Sequence, residues 1–162
     1  MAPGTVAGVY EKDNYYFHNF NYQEILSDLT MFWTKLRAIN PKAKMLLTVS
    51  PVPLTATASG NQVLTAHTYS KSTLRAVAGD IASENKDIYY FPSYELISSP
   101  AKRGMFYNPD LRTVNEHGVS FVMDHFIEAI NQQYNEKAST QAGTSLDNPL
   151  VCDEEKLEEF AN

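Results

Sequence analysis

Two groups of polar side chains follow apolar, strand-like runs in this sequence, and both groups could bind a ligand. The first contains Ser50 and continues to Ser70 and Lys71, and the second contains Tyr94 and Glu95. In open parallel α/β sheets, ligands bind outside the carboxyl ends of the strands. The positions after the strands therefore make these five residues candidate substrate-binding residues.

Two of these five residues, Ser70 and Lys71, could instead have ordinary structural roles. Ser70 and Lys71 are adjacent, and adjacent residues of a helix point about 100° apart, so a direct nucleophile–base pair is not expected. Ser70 is a good helix cap by residue type. Lys71 either contacts an anion or is a solvated surface charge.

Common catalytic and cofactor motifs are missing from the sequence. It contains no G-x-S-x-G elbow, no P-loop, no G-x-G-x-x-G segment and no H-E-x-x-H segment. His117 and His125 are eight residues apart, whereas metal-binding pairs on a helix usually lie three or four apart. We expect neither a cofactor nor a metal site.

The charge distribution argues against a nucleic-acid partner, and the lack of a long apolar run argues against a membrane partner. Of the formal net charge of −6, −5 arises from residue 139 onward, where six acids stand against one lysine. A nucleic-acid surface needs clustered basic residues, and no such cluster is visible.

No apolar run is long enough to span a membrane, and the amino terminus does not resemble a secretory signal. The single cysteine, Cys152, favours a cytoplasmic protein.

Hydrophobic periodicity predicts alternating helices and strands. Asn21 and Glu24 have the spacing of a capping box, and a helix with Trp33 on its buried face should follow and end at Asn40. The later part of the sequence predicts five more segments. They are a strand at 45–52 that is buried on both faces, a helix at 69–85, a strand at 88–91, a loop at 92–114 and a helix from about 115.

This order of elements predicts a parallel sheet covered by helices. Only two clear strands accompany three main helices, whereas doubly wound sheets have about five strands. The sequence therefore predicts the carboxyl-terminal half of an α/β domain. We predict that residues 1–134 form this half-domain and that residues 135–162 form an acidic, flexible tail.

Several segments together resemble the carboxyl-terminal half of the GSCFA family, which is related to the SGNH-type hydrolases. They are Ala2–Gly8, Phe17–Phe20, Thr48–Pro53, Tyr69–Ser72, Tyr90–Glu95 and Phe106–Asp110. The resemblance implies a partial flavodoxin-like, three-layer α/β/α fold. It also implies an esterase or acyltransferase that acts on carbohydrate esters or other small esters.

The catalytic set implied by this resemblance is incomplete. The family serine lies in a Gly-Ser-Cys-Phe-Ala segment, which these 162 residues do not contain. The family Asp-x-x-His block corresponds to Asp110, with Thr113 at the histidine position and His117 four residues later. Asp110 and His117 are thus the candidate catalytic residues. Alternatively, Asp110 caps a turn, as aspartate often does.

Three interpretations remain open at this point. The chain could belong to an enzyme that is inactive until a complementary amino-terminal half supplies the serine. It could instead be a non-catalytic binding or assembly module of the same fold, or a truncated product without an independent function. The exposed sheet edge and helix faces that two strands leave behind would also favour self-association.

Overall fold

The computed structural model describes residues 16–141 of the 162-residue chain. The chain divides into two compact units, one up to Met123 and one from Asp124 onward. The described part of the second unit is helical. The elements, in chain order, are α1 (Tyr22–Ile39), β1 (Met45–Leu47), α2 (Val63–Glu84), β2 (Ile88–Tyr90), α3 (Ser93–Ser98), a 3₁₀ turn (Pro100–Lys102) and α4 (Glu116–Gln141).

The predicted start of α1 is confirmed. The Asn21 side chain accepts a hydrogen bond from the Glu24 backbone N–H, and the Glu24 carboxylate accepts one from the Asn21 N–H. This capping box satisfies two of the backbone donors that a helix start leaves unpaired. The helix ends at Ile39, as the Asn40-Pro41 pair predicts.

β1 and β2 form a two-stranded parallel sheet in the described residues, with Met45 opposite Ile88 and Leu47 opposite Tyr90. Each strand has only three residues, fewer than the sequence predicts. α2 connects the two strands. The predicted partial α/β class is therefore confirmed.

A hydrophobic core lies where both long helices of the first unit meet the sheet. Trp33 of α1, Ile81 of α2 and Ile88 of β2 form its buried centre, and Met45 and Leu47 pack against them. The predicted burial of Trp33 is confirmed, since 9% of its surface is exposed. At the end of α1, Arg37 closes this region by donating to the Ala43 carbonyl and pairing with Asp87.

The prediction that the first strand is buried on both faces is wrong. Leu46, between two residues that pack on the core, is 52% exposed. The apolar run continues beyond residue 47, but residues 48–54 leave the strand and form a loop containing Pro51 and Pro53. Proline cannot donate to a strand ladder, so a Pro-x-Pro segment ends the pairing.

Three other element boundaries also differ from the predictions. α2 begins at Val63, so Ser70 lies inside the helix and does not cap it. The predicted loop at 92–114 contains α3 and the 3₁₀ turn. α4 continues past Tyr134 to Gln141, so the proposed boundary between residues 134 and 135 falls inside a helix. Residues 142–162 lie outside the described residues, and the acidic tail remains a prediction.

Replacing Trp33 with alanine should strongly destabilise the chain. Truncating a buried tryptophan typically costs about 3–5 kcal/mol, because the remaining cavity collapses only partly. The free energy of unfolding from urea titration measures the loss. Phe32→Ala is the matched control, since Phe32 is 54% exposed and its truncation should change stability by only about 0.5 kcal/mol. Equal losses in both variants would contradict the observed core.

Candidate functional site

The loop that follows β1 is held at the carboxyl end of the sheet by hydrogen bonds from three other segments. Lys71 Nζ donates to the Ser50 carbonyl at 2.6 Å, and Tyr107 OH donates to the Pro51 carbonyl at 2.8 Å. Ser93 Oγ donates to the Val49 carbonyl at 3.1 Å. These contacts fix the backbone of the loop without a strand ladder.

Lys71 is the one charged residue among the buried residues of the described chain, with 7% of its surface exposed. Burial penalises the charged form and lowers the pKa of its ammonium group. The contact with the Ser50 carbonyl compensates part of the cost of removing the ammonium from water. Of the two roles considered for Lys71, that of a solvated surface charge is therefore wrong. Its ammonium group is buried and contacts a backbone carbonyl directly.

His67 lies one helical turn before Lys71 and holds the far end of the same loop. The Leu54 N–H donates to His67 Nδ1 at 3.3 Å. Burial lowers the pKa of His67, and the nearby positive charge of Lys71 lowers it further. Since Nδ1 accepts this bond, the proton of the neutral ring is assigned to Nε2. The ring therefore presents a donor at its other nitrogen.

The side chains of Ser50 and Glu95 are both engaged within the protein. Ser50 Oγ accepts from the Val52 N–H at 3.2 Å. Glu95 accepts from the Arg75 guanidinium and from Tyr90 OH, the latter at 2.9 Å to Oε2. Arg75 also lies over the Tyr90 ring, 4.1 Å from its centroid. Burial, followed by the bond to Glu95, raises the pKa of the Tyr90 hydroxyl.

Arg75 and Tyr107 were not among the sequence candidates, although both shape this region. Arg75 is 20 positions from Glu95, and Tyr107 is 56 positions from Pro51. No sequence spacing indicates such long-range partners. Of the remaining candidates, Tyr94 is half-buried in α3, and Ser70 lines a separate cavity together with His18 and Asn19.

Asp110 has the geometry of the turn-capping alternative. Its Oδ1 accepts from the backbone N–H groups of Arg112 and Thr113, both at 2.9 Å, and its Oδ2 accepts from Thr113 Oγ1 at 2.8 Å. The N–H bond from Arg112 is the largest of the effects that lower the pKa of this carboxyl group. Within the described residues, these three bonds are its hydrogen bonds, and none comes from His117.

His117 lies in the first turn of α4 and packs on the buried Phe106, with 5.5 Å between the ring centroids. The same turn approaches Phe106 so closely that a Cβ on Gly118 would lie 2.9 Å from Phe106 Cβ. Glycine is therefore required where α4 begins. Within the described residues Asp110 caps its turn and does not bond to His117, and the catalytic role of these two residues remains a prediction.

No metal cluster is available in the part of the chain that the structure describes: no three His, Cys, Asp or Glu side chains converge there. None of the helices in this part combines the length and the apolar character needed to cross a bilayer.

The model of the GSCFA family matches residues 2–126. No curated protein and no solved structure matches the chain significantly.

The lowered pKa of His67, caused by burial and by the charge of Lys71, predicts a pH dependence of stability. Because the folded pKa lies below the ordinary value of 6.5, the unfolded chain binds this proton more readily. The contribution is complete above pH 6.5 and is lost as the pH falls through that value towards the folded pKa. Protonated Nδ1 also cannot accept the Leu54 N–H.

Urea titrations over a pH series should therefore show a decline in unfolding free energy on acidification. The decline should be shallower in His67→Asn, whose amide oxygen can accept the Leu54 N–H without titrating. Identical pH profiles for the two proteins would contradict this role of His67.

Proposed function

Since the chain belongs to the GSCFA family, we propose that it is the carboxyl-terminal portion of an SGNH-like esterase or acyltransferase. The proposed substrate is a carbohydrate ester or another small ester. The bond from Tyr107 OH to the Pro51 carbonyl at 2.8 Å is the observation that carries this proposal. It ties the loop containing Asp110 to the end of β1, where parallel α/β sheets bind ligands.

The missing chemistry follows from what acyl transfer requires. A serine near its ordinary pKa is a weak nucleophile and needs an adjacent base to take its proton. The base is usually a histidine that a carboxylate orients. Backbone donors must also stabilise the oxyanion. The 162 residues offer Asp110 and His117 for the carboxylate and the base, but no Gly-Ser-Cys-Phe-Ala segment.

The side chain at position 113 points towards the Asp110 carboxylate, because its hydroxyl donates to Oδ2. A histidine at this position would therefore start next to the carboxylate that should orient it. Threonine satisfies the carboxylate but cannot act as a base near neutral pH. The presence of threonine at position 113, where the family block has histidine, supports the proposal that the isolated chain does not hydrolyse esters.

The bond from the Thr113 hydroxyl to Asp110 also favours the second candidate function, a non-catalytic binding or assembly module. The turn around Asp110 is closed by its own hydrogen bonds, including one from the Asn108 N–H to the Thr113 carbonyl at 2.8 Å. A loop of this kind is stable without a histidine partner. The two candidates differ in whether a serine-bearing segment restores turnover.

The isolated chain should not hydrolyse activated acetyl esters such as p-nitrophenyl acetate. When it is combined with a polypeptide carrying the Gly-Ser-Cys-Phe-Ala block, Thr113→His should raise turnover by about 100-fold or more, the usual contribution of a positioned base. Asp110→Asn in that complex should remove the gain, because the histidine loses the carboxylate that orients it.

Two outcomes would change the assignment. A large loss from His117→Ala, with no gain from Thr113→His, would identify His117 as the base already in use. If neither variant alters turnover of the complex, Asp110 and His117 have no catalytic role. Robust hydrolysis by the isolated chain that Ser50→Ala abolishes would contradict the proposed architecture.

The exposed Leu46 supports self-association when no complementary half is present. Parallel sheets are normally covered on both faces, and Leu46 lies in the middle of β1 with half of its surface exposed. Leu46→Lys should therefore shift sedimentation velocity profiles towards the monomer. Leu64→Lys is the control, since Leu64 is an exposed apolar residue on α2. An equal effect of both variants would indicate non-specific association.

A further inference from the structure

One edge of β1 has no strand partner in the described part of the chain. On the other edge, the Met45 N–H donates to the Asp87 carbonyl at 2.9 Å, and the Leu47 carbonyl accepts from the Phe91 N–H at 2.8 Å. Alternate residues of a strand point their backbone groups to the same neighbour, so the N–H and carbonyl of Leu46 point away from β2. Within the described residues, β2 is the one strand paired with β1, and the edge at Leu46 is open.

The side chain of Leu46 is uncovered as well. Met45 and Leu47 pack on the core, whereas Leu46 lies on the other face of the sheet and is 52% exposed. Strand edges that face solvent are usually protected by proline or by charge. β1 contains neither, and the ammonium of Lys44 just before it is directed to β2, where it lies 3.3 Å from Tyr89 OH. β1 therefore has the character of an inner strand of a larger sheet.

The position of α1 indicates where an additional strand belongs. Trp33 of α1 and Ile81 of α2 share one core with Ile88 of β2, so both helices cover the same face of the sheet. Crossovers between parallel strands are right-handed in almost all proteins. Two successive right-handed crossovers on one face advance in the same direction across a sheet. A strand that enters β1 through α1 must therefore lie beside β1 on the side opposite to β2, which is the open edge at Leu46.

Residues 1–15 do not have the sequence of such a strand. A strand inside a parallel sheet is typically a continuous apolar run of about five residues without interior proline. Pro3, Gly4 and Gly8 interrupt the first part of this segment, and residues 11–14 are all polar. The sequence therefore favours a strand from another polypeptide. Doubly wound sheets have about five strands, and the serine-bearing half is the part of the domain that would carry the others.

We propose that the serine-bearing half adds a parallel strand to the open edge of β1, with backbone hydrogen bonds to the N–H and carbonyl of Leu46. The inference rests on the proposed function, because it requires a complementary half. In this mode of association, main-chain bonds supply the affinity and alternate side chains supply the specificity. The added strand ends at the same edge of the sheet as β1, where Lys71 and Tyr107 hold the following loop.

The test is backbone amide hydrogen exchange, measured by NMR on the ¹⁵N-labelled full chain with and without a partner. The partner is the separately expressed region of a longer GSCFA-family protein that carries the Gly-Ser-Cys-Phe-Ala block. The reference is the chain diluted to the monomer, because the same surface favours self-association. Binding should slow exchange of the Leu46 amide by about 100-fold or more. The Tyr90 amide, on the outer edge of β2, should be unchanged.

Leu46→Pro should weaken binding of the partner by about 10-fold or more, measured by calorimetric titration. Proline removes the outward N–H of residue 46 and leaves a carbonyl of the added strand unpaired, but it spares the bonds of Met45 and Leu47 to β2. Leu46→Val is the matched control, since it keeps the N–H and should bind within about 3-fold of the unchanged chain. Thermal unfolding of each variant alone verifies that it has folded, and the exchange measurement does not depend on either variant.

Four results would overturn the inference. They are the absence of any complex, protection of Tyr90 in place of Leu46, equal affinities of the proline and valine variants, and protection of Leu46 in the monomeric chain that deletion of residues 1–15 removes. The last result would assign the edge to that segment.

The inference and the proposed function can fail separately. Protection of Leu46 in a complex without ester turnover would establish the added strand and remove the enzymatic role. Turnover by a complex in which Leu46 stays unprotected would retain the enzymatic role and remove the added strand.

Discussion

β1 and β2 pair in parallel over three residues each, and a parallel pair cannot be closed by a tight turn. The chain must cross over the sheet, and α2 provides that crossover. Both strands then release their following loops at the same edge, where Phe91 N–H still donates to the Leu47 carbonyl at 2.8 Å. Every candidate group after β1 and β2 depends on this geometry.

The loop after β1 replaces strand pairing with side-chain contacts. Lys71, Ser93 and Tyr107 each bond to a different carbonyl of residues 49–51. Buried polar groups are costly unless they are paired, so these contacts specify one conformation of the loop. A buried ammonium is weak evidence for added stability, but it restricts which backbone arrangements the loop can adopt.

How far the sequence predicts this structure depends on whether a signal is local. The capping box at Asn21 and the stripe containing Trp33 are local, and both are found where the sequence places them. The start of α2 carries no such signal, because Gln62 occupies the N-cap without a side-chain bond. Ser70, a common capping residue, therefore suggested a start that is too late.

The candidate site shows the same limit. Residue type and position in the chain identify Ser50, Lys71 and Glu95 as candidates, but they do not indicate that Lys71 bonds to the Ser50 carbonyl or that Arg75 pairs with Glu95. These pairings follow from the crossover and become visible only in three dimensions. The exposure of Leu46 likewise depends on which sheet face lacks a helix, and the apolar run alone contains no information about this.

α2 explains why Ser70 and Lys71 can serve different purposes although they are adjacent. Successive helical residues diverge by about 100°, which excludes a direct dyad but directs the two side chains to different surroundings. Lys71 reaches the loop after β1, whereas Ser70 lines the cavity beside His18. One helix thus contributes both to the order of the loop at the edge of the sheet and to the lining of a separate cavity.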